Sequence, residues 1–119
     1  MEELSTRQNK ISRLIHREMA EILLKVNKTK FAGKLISVTV VRVTRDLGIA
    51  RVYLSIFPSE FSVEILKEIE LINKQLRGEL GRKLGKSLRV IPELEFYIDV
   101  VNIIETIINI EFEFGNYAK

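Results

Sequence analysis

The sequence has no cysteine, a single histidine, and only two prolines and six glycines among its 119 residues. The absence of cysteine excludes disulfides, thiolate catalysis and cysteine-bound zinc, and His16 alone cannot build a histidine metal site. The scarcity of glycine and proline argues against long disordered tracts. We therefore expect a folded chain that holds no metal and no cofactor.

Long apolar runs are also missing. No stretch approaches the ~20 consecutive apolar residues that cross a bilayer. The first residues, MEELST, have neither the basic start nor the apolar block of a signal peptide. These features predict a cytoplasmic protein without a membrane partner.

The residues that usually build catalytic sites are scarce or badly placed. His16 has no neighbour in the sequence that could orient it. Glu93 and Glu95 alternate on the outer side of a predicted strand, where exposure leaves carboxylates ionised. The run Leu84–Ser87 (LGKS) matches the end of a phosphate-binding loop but lacks the first glycine and the preceding strand. We predict that the protein is not an enzyme and has no small-molecule substrate.

Length and composition fit one domain. With 46% apolar and 29% charged residues in 119 positions, the chain can bury a core of its own but is too short for two. We predict a single domain over residues 1–119, with a core of about residues 5–108 and an acidic, apolar tail at residues 109–119. We expect a monomer.

The charge is unevenly distributed along the chain. Residues 7–45 contain ten lysines and arginines against two acids, whereas residues 90–119 contain six acids and one lysine. Such a molecule can present a cationic face to nucleic acid. A solvated basic surface without a partner explains the charge equally well.

Apolar residues at helical spacing predict a first helix over residues 5–26, with Ser5 and Gln8 as a capping box at its start. The other side of this helix carries a basic stripe, because four cationic residues recur every three to four positions. The stripe consists of Arg7, Lys10, Arg13 and Arg17.

A loop and a hairpin are predicted next. The polar, basic stretch Lys25–Lys34 indicates a loop. β-Branched and alternating residues predict an antiparallel hairpin of strands 35–44 and 49–57, joined by a turn at residues 45–48. One face of the hairpin should pack on helices and the other should be partly exposed.

Apolar residues at helical period continue over Ile65–Leu88, and Ser59 or Ser62 is a candidate cap for this region. A straight helix of that length would be longer than a small domain is wide, so we expect it to bend. The bend is predicted near Asn73, or at Gly78 or the two glycines that follow it, because glycine weakens a helix.

The end of this helical region is basic and leads through Pro92 into a third alternating strand, Glu93–Asp99. A cationic face delivered to the edge of a sheet is a plausible phosphate-binding device. The tail from Val100 fits either a helix or a strand, and we choose a short helix.

The element order helix, strand, strand, helix, helix, strand predicts an α+β fold of the type II KH kind. In this fold a three-stranded sheet has its helices on one face, and a kink separates the second and third helices. Three blocks, residues 44–55 (TRDLGIARVYLS), 76–84 (LRGELGRKL) and 88–99 (LRVIPELEFYID), closely resemble in order and spacing the signatures of the bacterial ribosome-binding factor A family. The resemblance covers roughly residues 5–108.

The resemblance implies a non-catalytic, cold-shock assembly factor that binds the free or immature 30S ribosomal subunit, contacts its 16S rRNA and assists late rRNA maturation. It also implies a kinked helix. The family's Ala-x-Gly triplet aligns with Ile72-Asn73-Lys74, which keeps neither residue. These three positions and Gly78 are our candidates for the kink. The acidic tail lacks the glycine-containing turn and basic extension of the family, so no contacts are carried over to it.

Twelve basic residues are the candidate RNA contacts, spread over the helices, the predicted loop and the hairpin. They are Arg13, Arg17, Lys28, Lys30, Lys34, Arg45, Arg51, Arg77, Arg82, Lys83, Lys86 and Arg89. Such contacts bind phosphates without reading sequence, so specificity is expected from RNA shape. Gly78-Glu-Leu-Gly81 matches the Gly-x-x-Gly loop of conventional KH domains, but its leucine-periodic setting favours ordinary helix glycines.

Two other functions stay open at this point. A protein-interaction module of the same fold would act through the acidic, apolar segment Ile104–Phe114, by adding a strand to the sheet or by dimerising. A structural ribosomal protein would remain in mature subunits, whereas an assembly factor would be enriched on immature ones.

Overall fold

The computed structural model describes residues 5–100. Its elements are α1 (Thr6–Lys30), β1 (Leu35–Val43), β2 (Ile49–Phe57), a 3₁₀ turn (Ser59–Phe61), α2 (Ser62–Leu71), α3 (Asn73–Leu84) and β3 (Glu93–Ile98). The predicted element order and α+β class are confirmed. The short helix predicted after Val100 and the predicted tail lie outside the described residues.

The three strands form one sheet in the order β1-β2-β3. β1 pairs with β2 antiparallel, as the hairpin prediction requires, and β3 pairs with β2 in parallel so that Glu93 lies opposite Ile49. The β1–β2 register shifts between Val38 and Val40. Because of this bulge, the inward side chains of β1 change from even to odd positions.

The core lies between one face of the sheet and the helices. The alternating residues Ala50, Val52, Leu54 and Ile56 of β2 are each at most 2% exposed. They share one hydrophobic cluster with apolar residues of all three helices, including Leu76, Leu80 and Leu84 of α3. The apolar residues that recur at helical spacing and those that alternate in the strands therefore pack into one core.

α1 begins as predicted but ends later. The Ser5 hydroxyl accepts a hydrogen bond from Gln8 N at 3.1 Å, and the Gln8 side chain accepts one from Ser5 N at 3.0 Å. The prediction of a loop from Lys25 was wrong, because α1 continues to Lys30. Residues 25–30 contain no glycine or proline, and cations in the last turn interact favourably with the helix dipole.

The second helical region is interrupted at Ile72, whose φ of −102° and ψ of 15° separate α2 from α3. Asn73 Nδ2 donates to the carbonyl oxygen of Leu94 at 2.9 Å, which ties the interruption to β3. Lys74 and Gly78 lie inside α3. The predicted serine cap of α2 was wrong: the N-cap residue is Phe61, and no side chain caps the helix.

The basic helix predicted to run to Leu88 ends at Leu84. Gly85 N still donates to the Gly81 carbonyl at 2.8 Å, and residues 85–92 then form a loop into β3. A Cβ built at Gly85 would lie 2.7 Å from the Gly81 oxygen, so this tight helix end requires glycine. Leu88 keeps its leucine spacing but reaches the core from the loop.

Gly78 within α3 and Gly85 at its C-terminal cap give a matched test of this helix. A Cβ at Gly78 meets nothing within 4 Å. We expect Gly78→Ala to raise the free energy of unfolding by up to about 1 kcal/mol through helix propensity. Gly85→Ala should lower it by about 1–3 kcal/mol through overpacking. Urea denaturation measures both, and a destabilising Gly78→Ala would contradict the position of Gly78 within the helix.

Candidate nucleic-acid interface

Cations that are distant in the sequence meet where the first half of α1, the β1–β2 turn and the 85–92 loop come together. A groove of about 450 Å³ at this place is lined by Arg7, Lys10 and Arg89, among others. A shallow depression along α1 is lined by Lys10, Arg13 and Arg17. Since the two share Lys10, these five residues form one continuous surface, which we call the basic face.

The loop that carries Arg89 is held in place by Arg77. From α3, Arg77 Nε donates to the Pro92 carbonyl at 3.1 Å, and Arg77 Nη2 donates to the Ile91 carbonyl at 2.7 Å. Leu88 N also donates to the Leu84 carbonyl at 2.9 Å. The guanidinium of Arg77 therefore binds two partly buried backbone oxygens and orders the loop.

The β1–β2 turn forms another wall of the groove. Asp46 Oδ1 accepts hydrogen bonds from Gly48 N at 3.0 Å and from the Thr44 hydroxyl at 2.7 Å. The Thr44 and Gly48 donors hold the pKa of Asp46 below its ordinary value. Leu47 has a φ of 62°, in the left-handed region that leucine rarely adopts. Glu93 N donates to the Gly48 carbonyl at 2.9 Å, which joins the turn to β3.

Most of the basic face is free of ion pairs. Arg17 is the exception, with Nε 3.3 Å from Glu18 Oε1. Across residues 5–100, no ion pair or hydrogen bond engages the side chains of the other four members of this face or of three further predicted contacts. They are Arg7, Lys10, Arg13 and Arg89 of the basic face, and Lys28, Arg45 and Lys86. Their charge is therefore available to an anionic partner.

Two predicted contacts on α3 have acidic partners. Lys83 Nζ lies 3.0 Å from Glu21 Oε2 and 3.5 Å from Glu18 Oε2, on α1. The hydrogen bond with Glu21 raises the pKa of Lys83 and lowers that of Glu21. Arg82 pairs with Glu79 within α3. These cations line a second groove, of about 590 Å³, between α1 and α3.

Two predicted contacts near the end of α1 lie beside other elements. Lys30 Nζ is 3.7 Å from Glu68 Oε2 of α2. Lys34 Nζ lies 4.7 Å from the centre of the Phe61 ring, in a cation–π contact. Both belong to a separate cleft on the α2 side of the molecule.

Arg51 lies on the outer face of the sheet. Its Nε is 3.3 Å from Glu95 Oε1, and the Tyr97 hydroxyl donates to the same oxygen at 2.7 Å. Tyr97 and Arg51 together hold the pKa of Glu95 below its ordinary value, with the tyrosine hydrogen bond the larger cause. The rings of Tyr53 and Tyr97 stack with centroids 5.4 Å apart. This face is thus built differently from the basic face.

Sequence reasoning missed one feature of the basic face and one of the outer face of the sheet. Arg7 and Lys10 were predicted only as members of a stripe, and their juxtaposition with Arg89 depends on the tertiary fold. Tyr97 was not recognised as a partner of Tyr53, although its outward position in an alternating strand was a usable signal.

The described part of the chain has neither a helix that could span a membrane nor a cluster of possible metal ligands. Among residues 5–100, no helix combines the length and hydropathy needed to span a bilayer. Within the same range, no three acidic or histidine side chains gather in a way that suits a metal ion.

The fold defines a KH-like α+β protein, with three helices on one face of a three-stranded sheet. The chain belongs to the ribosome-binding factor A family, whose sequence profile matches residues 7–110. A ribosome-binding factor A from Cytophaga hutchinsonii is 48% identical over 95 residues, covering 80% of this chain and 71% of the relative. One from Christiangramia forsetii is 43% identical over 100 residues, covering 83% and 76%.

Solved structures agree with this assignment of the fold. The crystal structure of ribosome-binding factor A from Thermus thermophilus superposes with a TM-score of 0.63 at 24% identity, covering 76% of this chain and 94% of that one. A second set of Thermus thermophilus coordinates, a homology model fitted into a cryo-EM map of a 30S complex, gives a TM-score of 0.57 at 25% identity, covering 72% and 88%.

The role of Arg77 can be separated from that of an exposed arginine on the same helix. We expect Arg77→Gln to lower the free energy of unfolding by about 1–3 kcal/mol, because two carbonyl oxygens lose a charged donor. Arg82→Gln makes the same change of charge at an exposed ion pair and should leave stability close to wild type. Urea denaturation compares the two, and equal stabilities would contradict the anchoring role of Arg77.

Proposed function

We propose that this protein is a non-catalytic, cytoplasmic assembly factor that binds the free or immature 30S ribosomal subunit through its 16S rRNA and assists late rRNA maturation. The observation that carries the proposal is the basic face, where cations from α1 and the 85–92 loop are gathered without acidic partners in the described structure, apart from the Arg17 pair. Membership of the family and the 30S complex of the Thermus thermophilus relative support it.

The contacts are phosphate contacts. Arginine and lysine side chains on an open surface bind the RNA backbone and release its counterions, and this makes binding salt-dependent without sequence readout. We assign the main contacts to the basic face, together with Lys86, which is exposed in the same loop as Arg89. Predicted contacts with acidic partners, such as Lys83 and Lys30, contribute less because binding RNA would break an existing pair.

Sedimentation of the tagged protein through sucrose gradients at several salt concentrations tests the proposal. The protein should comigrate with free small subunits, dissociate as salt is raised, and be absent from translating ribosomes. The double variant Arg13→Gln, Arg89→Gln should weaken binding and reduce the slope of log affinity against log salt by about one unit per lost contact.

The double variant Lys30→Gln, Arg51→Gln removes the same charge from two ion-paired positions outside the basic face, and it should reduce the slope by less. Wild-type protein at the top of the gradient at every salt concentration would refute the function. Equal loss of slope in both double variants would refute the assignment to the basic face. Stoichiometric retention in mature subunits would instead identify a structural ribosomal protein.

A protein-interaction role is the second candidate, and the outer face of the sheet favours it. Leu35 and Phe57 pair at one end of this face and are 56% and 70% exposed, and the stacked Tyr53 and Tyr97 lie further along the same face. The segment first considered for this role, Ile104–Phe114, lies outside the described residues. Monomeric sedimentation together with the absence of any protein partner in pull-downs would count against this role.

A further inference from the structure

The groove between α1, the β1–β2 turn and the 85–92 loop combines an apolar floor with a cationic rim. The floor is formed by Ile11, Leu14, Leu47 and Leu88, and the rim by Arg7, Lys10 and Arg89. Its volume of about 450 Å³ lies in the range of sites that enclose a small molecule or part of a polymer. We call it the turn groove.

We propose that the turn groove binds a single unpaired nucleotide of RNA, with the base on the apolar floor and the adjoining phosphates at the cationic rim. This inference rests on the proposed function, because it names the kind of RNA that the basic face recognises. It adds a means of selecting RNA shape to an interface that otherwise binds any phosphate backbone.

Charge complementarity supports an anionic occupant. Three cations line the groove against one acid, Asp46. Asp46 Oδ1 already accepts hydrogen bonds from Gly48 N and the Thr44 hydroxyl, so this oxygen is engaged within the turn. Across the described residues, Arg7, Lys10 and Arg89 have no ion-pair partner.

The apolar floor supports an unpaired base over a duplex. A duplex presents phosphates outward and keeps the faces of its bases stacked inside, so it would leave the leucine side chains uncovered. An unstacked base offers a flat, weakly polar face that can cover them while its own phosphates stay at the rim. Because the floor and the rim belong to one concavity, both contacts can be made by the same nucleotide.

The groove is also held in shape before any ligand arrives. Leu47 keeps a left-handed φ of 62° within a turn that is hydrogen-bonded at Thr44, Asp46 and Gly48. Such a conformation is strained for leucine and persists only where the surroundings enforce it. The opposite wall is fixed by the two hydrogen bonds of Arg77. A pre-formed site loses less conformational entropy on binding.

Two valines provide a matched test of the proposal. Val90 lines the turn groove and is 68% exposed, whereas Val63, on α2 and outside the groove, is 67% exposed. Val90→Glu and Val63→Glu therefore make the same change of size and charge at equal exposure without touching the core. Affinities of the full-length variants are measured by fluorescence anisotropy with short random-sequence single-stranded RNA and with paired RNA of the same length.

We expect Val90→Glu to weaken binding of single-stranded RNA by about tenfold relative to Val63→Glu, because a carboxylate in the groove repels phosphate and blocks the floor. Binding of paired RNA should weaken less, because a duplex meets the repulsion of phosphate but does not use the blocked apolar floor. Circular dichroism spectra that match wild type confirm that both variants are folded.

Equal affinities of the two variants for single-stranded RNA would overturn the proposal. It would also be overturned if Val90→Glu lost affinity for single-stranded and for paired RNA to the same extent. The groove would instead be assigned to a protein partner if Val90→Glu left RNA binding unchanged but abolished binding of an acidic, phenylalanine-containing peptide. Sucrose gradients of the wild type distinguish a failure of the groove proposal from a failure of the proposed function. Comigration with small subunits alongside equal RNA affinities refutes only the groove, whereas failure to comigrate refutes the function.

Discussion

The parallel pairing of β3 with β2 is the constraint on which the position of the basic face depends. β2 ends at Phe57, yet β3 begins opposite Ile49, so the chain must return across the sheet before β3 can start. α2 and α3 make this return on the side of the core. The crossover therefore ends beside the β1–β2 turn and the start of α1, where Arg89 meets Arg7 and Lys10.

Polar side chains that bind backbone oxygens fix the end of this crossover. Asn73 donates to the Leu94 carbonyl at the interruption of the helical region, and Arg77, one turn later, donates to the carbonyls of Ile91 and Pro92. These carbonyl groups are partly buried, and leaving them without partners would be costly, so the bonds favour one path of the loop over its alternatives. Asn73, a candidate for the kink, and Arg77, a predicted RNA contact, thus hold the loop that carries the interface.

Much of the fold follows from periodicity in the sequence. The alternation of Ala50 to Ile56 and the leucine spacing of α3 identified the core, and Ser5 and Gln8 identified the start of α1. The bulge near Thr39 could not be found in this way. β1 is rich in β-branched residues on both faces, so its sequence does not show which positions face the core. The end of α3 was missed because leucine spacing continues through Leu88 in a loop.

The candidate site was less predictable than the fold, because residue type does not reveal which cations are neutralised. Lys83 and Arg89 both carry a positive charge, yet Lys83 has two acidic neighbours on α1 and Arg89 has none in the described structure. Hydroxyl-radical footprinting of the protein, free and bound to small subunits, tests the assignment of the interface most directly. We expect protection of Leu14, Leu47 and Val90, with Phe57 on the outer face of the sheet still reactive. Protection of Phe57 without protection of the three groove residues would contradict it.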